Sequence, residues 1–250
     1  MTGKRKNLAV RRTAQILKSF TQNTNGWGVS DLASHLKLAK SVVFENLNVL
    51  VEEGLIKKDE KKKEYFIGDE LLRLSLTHLG SIEIIKVSRP ILKDLAKELG
   101  ETVLLSKIIN NRTIIIEKVD GSYPLRFAID IGAELPLHKG SSAKVYLAFL
   151  PDKKREELIK IHQINMNRLK EEIEIVRKRG YAASKEEVFA GVYALTVPVF
   201  NNSDEIIAAI GVGGPSLRFE KETVIPKILE VAKKISLQMG YLNWKWKAGD

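Results

Sequence analysis

Between residues 29 and 56 the chain reads VSDLASHLKLAKSVVFENLNVLVEEGLI, with Val29, Leu32, Ala33 and Leu36 spaced i, i+3, i+4, i+7 and then Val43, Leu47, Leu50 and Val51 repeating the pattern. Each segment therefore has one apolar stripe at the period of an α-helix, and two such stripes can bury each other. The break at residues 37–40 is short enough for only a tight corner, and the small Ala33 at the expected crossing point allows close approach, the geometry of a helix-turn-helix. Ser30 is placed to cap the first helix and Ser41 the second, and Gly54 to end the second. The same pattern turns Lys40, Ser41, Val42, Glu45 and Asn46 outward.

After Gly54 the stretch LIKKDEKKKEYFIG reads as two short strands around an Asp-Glu-Lys tip, the hairpin of a winged helix, and it carries Lys57, Lys58, Lys61, Lys62 and Lys63. Such lysines can lie along duplex phosphates as flexible point charges. A lysine-rich hairpin alone is as readily a solvated turn, and its attachment to a helix-turn-helix is what favours nucleic acid. Upstream, residues 8–20 place apolar side chains at 10, 14, 17 and 20 and predict a first helix; Trp27, in the following loop, is expected to pack beside a helix start.

Residues 69–79 form an amphipathic pattern with Leu71, Leu72, Leu76 and Leu79 along one side, a linker helix, and Gly80 and Ser81 mark a domain boundary. A helix that Pro90 either opens or kinks then runs to Gly100. From residue 101 the period changes to two: TVLLSKII, TIIIEKV and PLRFAID read as an antiparallel meander, separated by Asn110-Asn111 and Gly121-Ser122. A loop leads into a helix capped near Ser141 or Ser142; two more helices end at Gly180; strands return in YAASKEEV, ALTVPVF and IIAAIGVGG; and a helix over 221–242 follows. Strands, then helices, then strands predict an α+β fold with a mostly antiparallel sheet. The expected organisation is a winged helix-turn-helix domain over 1–68, a linker helix over 69–80 and a second, α+β domain over 81–250.

Composition narrows the chemistry. The net charge is +10, and residues 1–65 hold 13 Lys and Arg against 7 Asp and Glu, so the basic excess gathers at the expected DNA-binding end. With no cysteine there is no disulfide and no thiolate site, and the four histidines, at 35, 78, 138 and 162, have no ligand spacing, so no metal or cofactor is expected. No run of about 18 apolar residues occurs, which predicts a soluble, cytoplasmic protein without a membrane segment. Ser141-Ser142-Ala143-Lys144 spells S-x-x-K, but no S-D-N, K-T-G or G-x-S-x-G accompanies it, so no catalytic residue is assigned. Gly211-Val212-Gly213-Gly214-Pro215 lacks the spacing of a nucleotide loop and is expected to make room for a ligand or for a close backbone approach, while Glu186 and Glu187 read as solvated or salt-bridged.

Several blocks, KSVVFENLNVLVEEGLI, LPLHKGSSAKVYLAFLP, VRKRGYAASKEEVFAGVYALTVPVF and IIAAIGVGGPSLRF, resemble in order and spacing the IclR family of transcriptional regulators over nearly the whole chain. The resemblance implies a winged helix joined by a helix to a GAF/PAS-like effector domain, assembled as a homodimer or tetramer on a palindromic double-stranded DNA operator and modulated by a small-molecule effector. Two departures stand out: Glu45 replaces an Arg frequent in the family's recognition helix, with Asn46 in place of the usual Leu beside it. Where relatives that bind small carboxylic acids carry an acidic residue and last-strand hydroxyls, this chain has Ser184, Gly211 and Gly213.

The DNA contacts expected are Ser30, Lys40, Ser41, Val42, Glu45 and Asn46, with Lys61, Lys62 and Lys63 on phosphate. The resemblance places Gly132, Ser184, Val192, Ala194, Gly211 and Gly213 against effector; Leu135, Leu137 and Ala143 lie near that lining, and Ser141 and Ser142 offer a helix N-terminus as anchor. The pocket is expected between the sheet and the loop GAELPLHKGSS, closed by the segment around Gly191, and suited to a neutral or weakly polar ligand, an aromatic one included, or to a carboxylate held only at that helix end. The alternative reading is a winged-helix interaction module that binds protein or RNA, and salt-dependent binding to duplex DNA separates the two.

Overall fold

The computed structural model describes residues 7–247 except residue 24 and residues 80–82. The chain divides into two compact units, 1–82 and 83–250. The boundary expected at Gly80 and Ser81 lies outside the described residues.

The first unit contains α1 (Leu8–Ser19), α2 (Val29–Leu36), α3 (Lys40–Glu52), the antiparallel hairpin β1 (Ile56–Asp59) and β2 (Glu64–Ile67), and α4 (Asp69–Leu79). Its core joins Ile16, Phe20, Leu32, Ala33, Val43, Leu47, Leu50, Ile56 and Tyr65, so both apolar stripes of the helix-turn-helix face inward. Trp27 packs against this core, and its indole N–H donates to the Ser19 carbonyl at 3.1 Å. On α1 the inner face differs from the expected one: Ile16 and Phe20 are buried while Val10 is 63% exposed, because that helix presents its Thr13 side to α3.

The two serines do not cap. The cap positions belong to Gly28 and Ala39, neither of which makes a side-chain cap bond, and Ser30 and Ser41 lie inside their helices. Backbone pairing of Trp27 with Tyr65, at 3.0 and 2.9 Å, fixes extended chain before Gly28; Leu38, whose N–H reaches the Ala33 carbonyl at 3.0 Å, does the same before Ala39. The helices therefore start before the serines are reached.

The second unit is an antiparallel six-stranded sheet ordered β5-β4-β3-β8-β7-β6, from β3 (Thr102–Ile109), β4 (Arg112–Val119), β5 (Glu134–Leu135), β6 (Ala182–Lys185), β7 (Val192–Phe200) and β8 (Ile206–Pro215). Helices α5 (Glu83–Leu99, with Pro90 inside) and α9 (Lys221–Gln238) pack on the sheet and on each other. Helix α6 (Ser141–Phe149) meets Thr196 on the other face, and α7 (Asp152–His162) and α8 (Met166–Arg179) complete the unit, α8 packing against α6.

Two expected elements change. Residues 124–130 form no strand: Pro124 has no N–H to give a ladder, and the Leu125 and Phe127 carbonyls are taken by Arg218 and by the Thr102 hydroxyl, each at 2.7 Å. The sheet edge is instead β5. The last helix stops at Gln238, short of 242, and Gly240, at φ 86°, turns the chain so that Trp246 packs on Phe149 and Phe200 and donates to the Arg177 carbonyl at 3.0 Å.

Candidate nucleic-acid interface and ligand cavity

The outer face of α3 follows from its inner one. With Val43, Leu47 and Leu50 at 2% exposure or less, a rotation of roughly 100° per residue leaves Ser41, Glu45 and Asn48 on the opposite side, all exposed. Lys40 is exposed too, and Val42 half-buried. Asn46 departs from the expectation: its carbonyl oxygen accepts from the Thr13 hydroxyl at 2.6 Å and its amide donates to the Val42 carbonyl at 2.8 Å, so it braces α3 against α1. Asn48, three positions on from Glu45, takes the outward place that the sequence reading assigned to Asn46. Phe44 and Val49, 48% and 53% exposed, flank this stripe and were also missed. Phase measured from the fully apolar positions alone would have found all three.

In the wing, the Asp59 carboxylate accepts from the Lys61 and Lys62 amides at 2.9 and 3.1 Å, and Lys63 adopts φ 56°, which closes the tip. Lys58 pairs with Glu60 at 2.8 Å and Lys57 with Asp69 at 3.8 Å, whereas Lys61, Lys62 and Lys63 are exposed with no ion pair among the described residues. The three expected phosphate contacts are thus the ones with uncommitted charge. Ser30 is exposed on α2, and its own carbonyl accepts from the Ser34 hydroxyl at 2.9 Å. On α4, Leu72 and Leu74 are 57% and 48% exposed; the side chains of Leu76 and Leu79 lie outside those described.

In the second unit the sheet face opposite α5 carries a cavity with about 590 Å³ of empty space, its open mouth included. The floor is made of small side chains in register: Gly211 beside Thr196 and Gly213 beside Ala194, with Ser184 next to Ala194. Leu104, Ile115, Leu135 and Val192 form apolar walls. Phe127, from the loop that failed to become a strand, meets Phe189, from the β6–β7 loop, with ring centres 5.2 Å apart. A Cβ on Gly213 would come within 2.7 Å of the Phe127 ring, so that glycine sets how low the ring sits.

The polar end lies at the start of α6. Gly140, at φ 89°, turns the chain into the helix, and the first amides of any helix have no partner inside it. The Ser141 hydroxyl shares a hydrogen bond with Thr196 at 2.8 Å and Ser142 a longer one at 3.4 Å, so these serines engage the sheet and do not cap the helix. The Ser184 hydroxyl, on a residue 7% exposed, makes no hydrogen bond among the described residues. Lys139 lines the rim. Just behind it, buried Lys144 pairs with Glu172 at 2.5 Å and Glu187 at 2.6 Å, and Glu187 also accepts the Gly140 amide at 3.0 Å. Glu187 is thus salt-bridged, and the S-x-x-K lysine is committed to two carboxylates.

Of the expected lining, Leu135, Ser141, Ser142, Ser184, Val192, Ala194, Gly211 and Gly213 border the cavity. Leu137 and Ala143, at 1% and 0% exposure, are core side chains instead, and Gly132 is exposed in the loop before β5 with nothing near its would-be Cβ. Phe127, Phe189, Thr196 and Ser106 border the cavity unforeseen, because they come from separate segments with no local signal between them. Among the described residues no group of three or more His, Asp or Glu side chains could hold a metal, and no helix is long and apolar enough to cross a membrane.

A helix-turn-helix with a basic wing, followed in the same chain by a cavity-bearing α+β unit, is the architecture of a DNA-binding transcriptional regulator with an effector domain. The profile of the IclR helix-turn-helix domain matches residues 9–60 and that of the bacterial transcriptional regulator IclR C-terminal domain matches 76–239: the chain belongs to the IclR family, whose members are regulators and not enzymes. It is 28% identical over 244 residues to the glycerol operon regulatory protein of Streptomyces coelicolor, covering 93% of this chain and 96% of that one. The IclR structure from Thermotoga maritima superposes with a TM-score of 0.71 at 27% identity, over 94% of this chain and 100% of the other. An IclR homologue of Microbacterium hydrocarbonoxydans, solved with 4-hydroxybenzoate, shares the fold with a TM-score of 0.80 at 20% identity, over 92% and 98%.

Proposed function

We propose that this regulator binds a palindromic operator as a homodimer or tetramer, with the outer face of α3 in the major groove and Lys61, Lys62 and Lys63 on phosphate, and that a small aromatic molecule with one polar end modulates it. Two copies are needed because a single recognition helix reads only a few base pairs, and a two-fold pair matches a two-fold site. The leucine side of α4 and the first helix are the proposed seam. The observation that carries the DNA reading is the unpaired lysine triad at the wing tip. Affinity for duplex DNA should fall steeply with salt, by a slope of about 0.9 per phosphate neutralised. Replacing Lys61, Lys62 and Lys63 with Ala should flatten that slope and weaken binding on all sequences alike. A flat slope for the unmodified protein, or equal competition by RNA, would favour the interaction-module reading instead.

The ligand class follows from the cavity. Its walls are apolar and aromatic, and an isolated carboxylate there would cost several kcal/mol, so a charge has one suitable place, at the α6 amides beside Ser141 and Ser142. The nearby Glu187 carboxylate shares the Lys144 cation with Glu172 and accepts the Gly140 amide. A flat ring under Phe127 and Phe189 can turn its hydroxyl or carboxylate toward Ser184 and the helix end, with Lys139 at the rim. The bound 4-hydroxybenzoate of the Microbacterium homologue is of that class. Ligand and operator binding should be coupled by about 1–3 kcal/mol in either direction. Thermal-shift titration with 4-hydroxybenzoate, benzoate and glyoxylate tests the class; a response to glyoxylate alone would overturn it.

A further inference from the structure

Beyond Lys40 at its first residue, the outer stripe of α3 lacks the cation that most direct readers use for guanine. On the outer stripe of α3 the functional groups are the Ser41 hydroxyl, the Glu45 carboxylate and the Asn48 amide, flanked by the apolar Phe44 and Val49. The side chains of Glu45 and Asn48 are exposed and make no hydrogen bond or ion pair among the described residues, whereas Asn46, between them in sequence, is held by Thr13. A carboxylate brought into the groove of a polyanion is repelled unless it accepts a hydrogen bond from a base. In the major groove cytosine N4 and adenine N6 are both donors, but the N7 acceptor beside adenine N6 repels a carboxylate, and guanine shows only acceptors, so cytosine is the base that suits Glu45. Phe44, adjoining Glu45 on the same helix, can gain only by apolar contact, and the thymine methyl is the apolar group that the groove displays.

We propose that Glu45 and Phe44 are specificity-determining residues that select a cytosine with an adjoining thymine in each half-site, Glu45 accepting from cytosine N4 and Phe44 covering the thymine methyl. This rests on the reading of α3 as the helix that enters the major groove. Affinity then comes from the wing lysines and Lys40, and sequence choice from a stripe without Arg or Lys.

The test is selection of duplexes with a randomised core by the full-length protein, followed by binding measurements on single-base variants of the enriched site. A cytosine should be preferred over each other base at one position per half-site by roughly five- to 150-fold, the range for one good base contact. Glu45→Gln, whose amide can pair with adenine N6 and N7, should remove that preference and raise adenine at the same position. Phe44→Ala should relax the adjoining thymine and leave the cytosine preference in place. Both side chains are exposed, and an unchanged melting temperature would show that each variant folds. If an enriched site emerges but Glu45→Gln and Phe44→Ala leave its base preferences unchanged, the inference is wrong while the DNA-binding reading stands. If no duplex is enriched, the DNA-binding reading itself fails.

Discussion

Helix α3 and the sheet of the second unit separate stability from recognition in opposite ways. On α3 the buried Val43, Leu47 and Leu50 and the free Ser41, Glu45 and Asn48 lie at different azimuths of one cylinder, so a residue belongs to the core or to the outer surface, with Asn46 the intermediate case. In the sheet the groups around the cavity also close it: Gly213 supports Phe127, Thr196 holds Ser141, and Glu187 holds both Gly140 and Lys144. A convex site can vary its chemistry at little cost to the fold. A concave one shares its atoms with the core.

The largest expected effect tests the first half of that contrast. Leu47→Ala, at a position with no exposure, should cost about 2–5 kcal/mol of stability in a denaturant melt and eliminate DNA binding by unfolding the first unit. Glu45→Ala should stay within about 0.5 kcal/mol; if it destabilises as much as Leu47→Ala, the separation on α3 is illusory.

Gly213→Leu sharpens the second half. Its Cβ would press on Phe127 at 2.7 Å, so overpacking should cost about 1–3 kcal/mol, with loss of the ligand response. Gly211→Ala adds a methyl group 3.6 Å from the Thr196 hydroxyl, an ordinary contact, so it should keep its melting temperature while ligand affinity falls. Equal stability of the two variants would show that the floor bears no load from the ring.

Lys144→Met follows in size. It leaves the carboxylates of Glu172 and Glu187 without their shared cation. Because both acids are partly exposed, the loss should be about 1–3 kcal/mol, diminished by salt screening of the unmodified protein; a stabilised variant would mean that the charge trio costs more in desolvation than it returns.

The smallest effect concerns pH. Burial raises the Tyr146 phenol above its ordinary value of 10.0, against the opposing hydrogen bond with Ser106. An unfolded phenol loses its proton near that value and the folded one only at higher pH, so its contribution is intact at neutrality and falls as pH rises above 10. Between pH 6 and 9 Tyr146→Phe should differ from the unmodified protein by a constant amount, set by the lost hydrogen bond to the Ser106 carbonyl, while around pH 11 the unmodified protein should lose stability relative to that variant.

Local periodicity was sufficient for the helix-turn-helix, the wing and strands β3, β4, β6, β7 and β8, because a buried stripe at period 3.6 or 2 is written into neighbouring residues, but it put a strand at 124–130 and missed β5. The family resemblance, not the periodicity, pointed to Ser184, Ala194, Gly211 and Gly213, which border the cavity on its strands. Helix phase sets Asn48 outward and Asn46 toward the flank, but it could not show that Asn46 is spent inside, because its partner, Thr13, comes from another helix. Nor could it supply the caps, since Gly28 and Ala39 start their helices through pairing elsewhere. The loop carrying Phe127 looked like a strand until Thr102 and Arg218 claimed its carbonyls. Hydrophobic pattern is a property of short segments and the sequence carries it; the partner of a polar group is chosen by what folding brings within about 3 Å of it, and that is settled only in three dimensions.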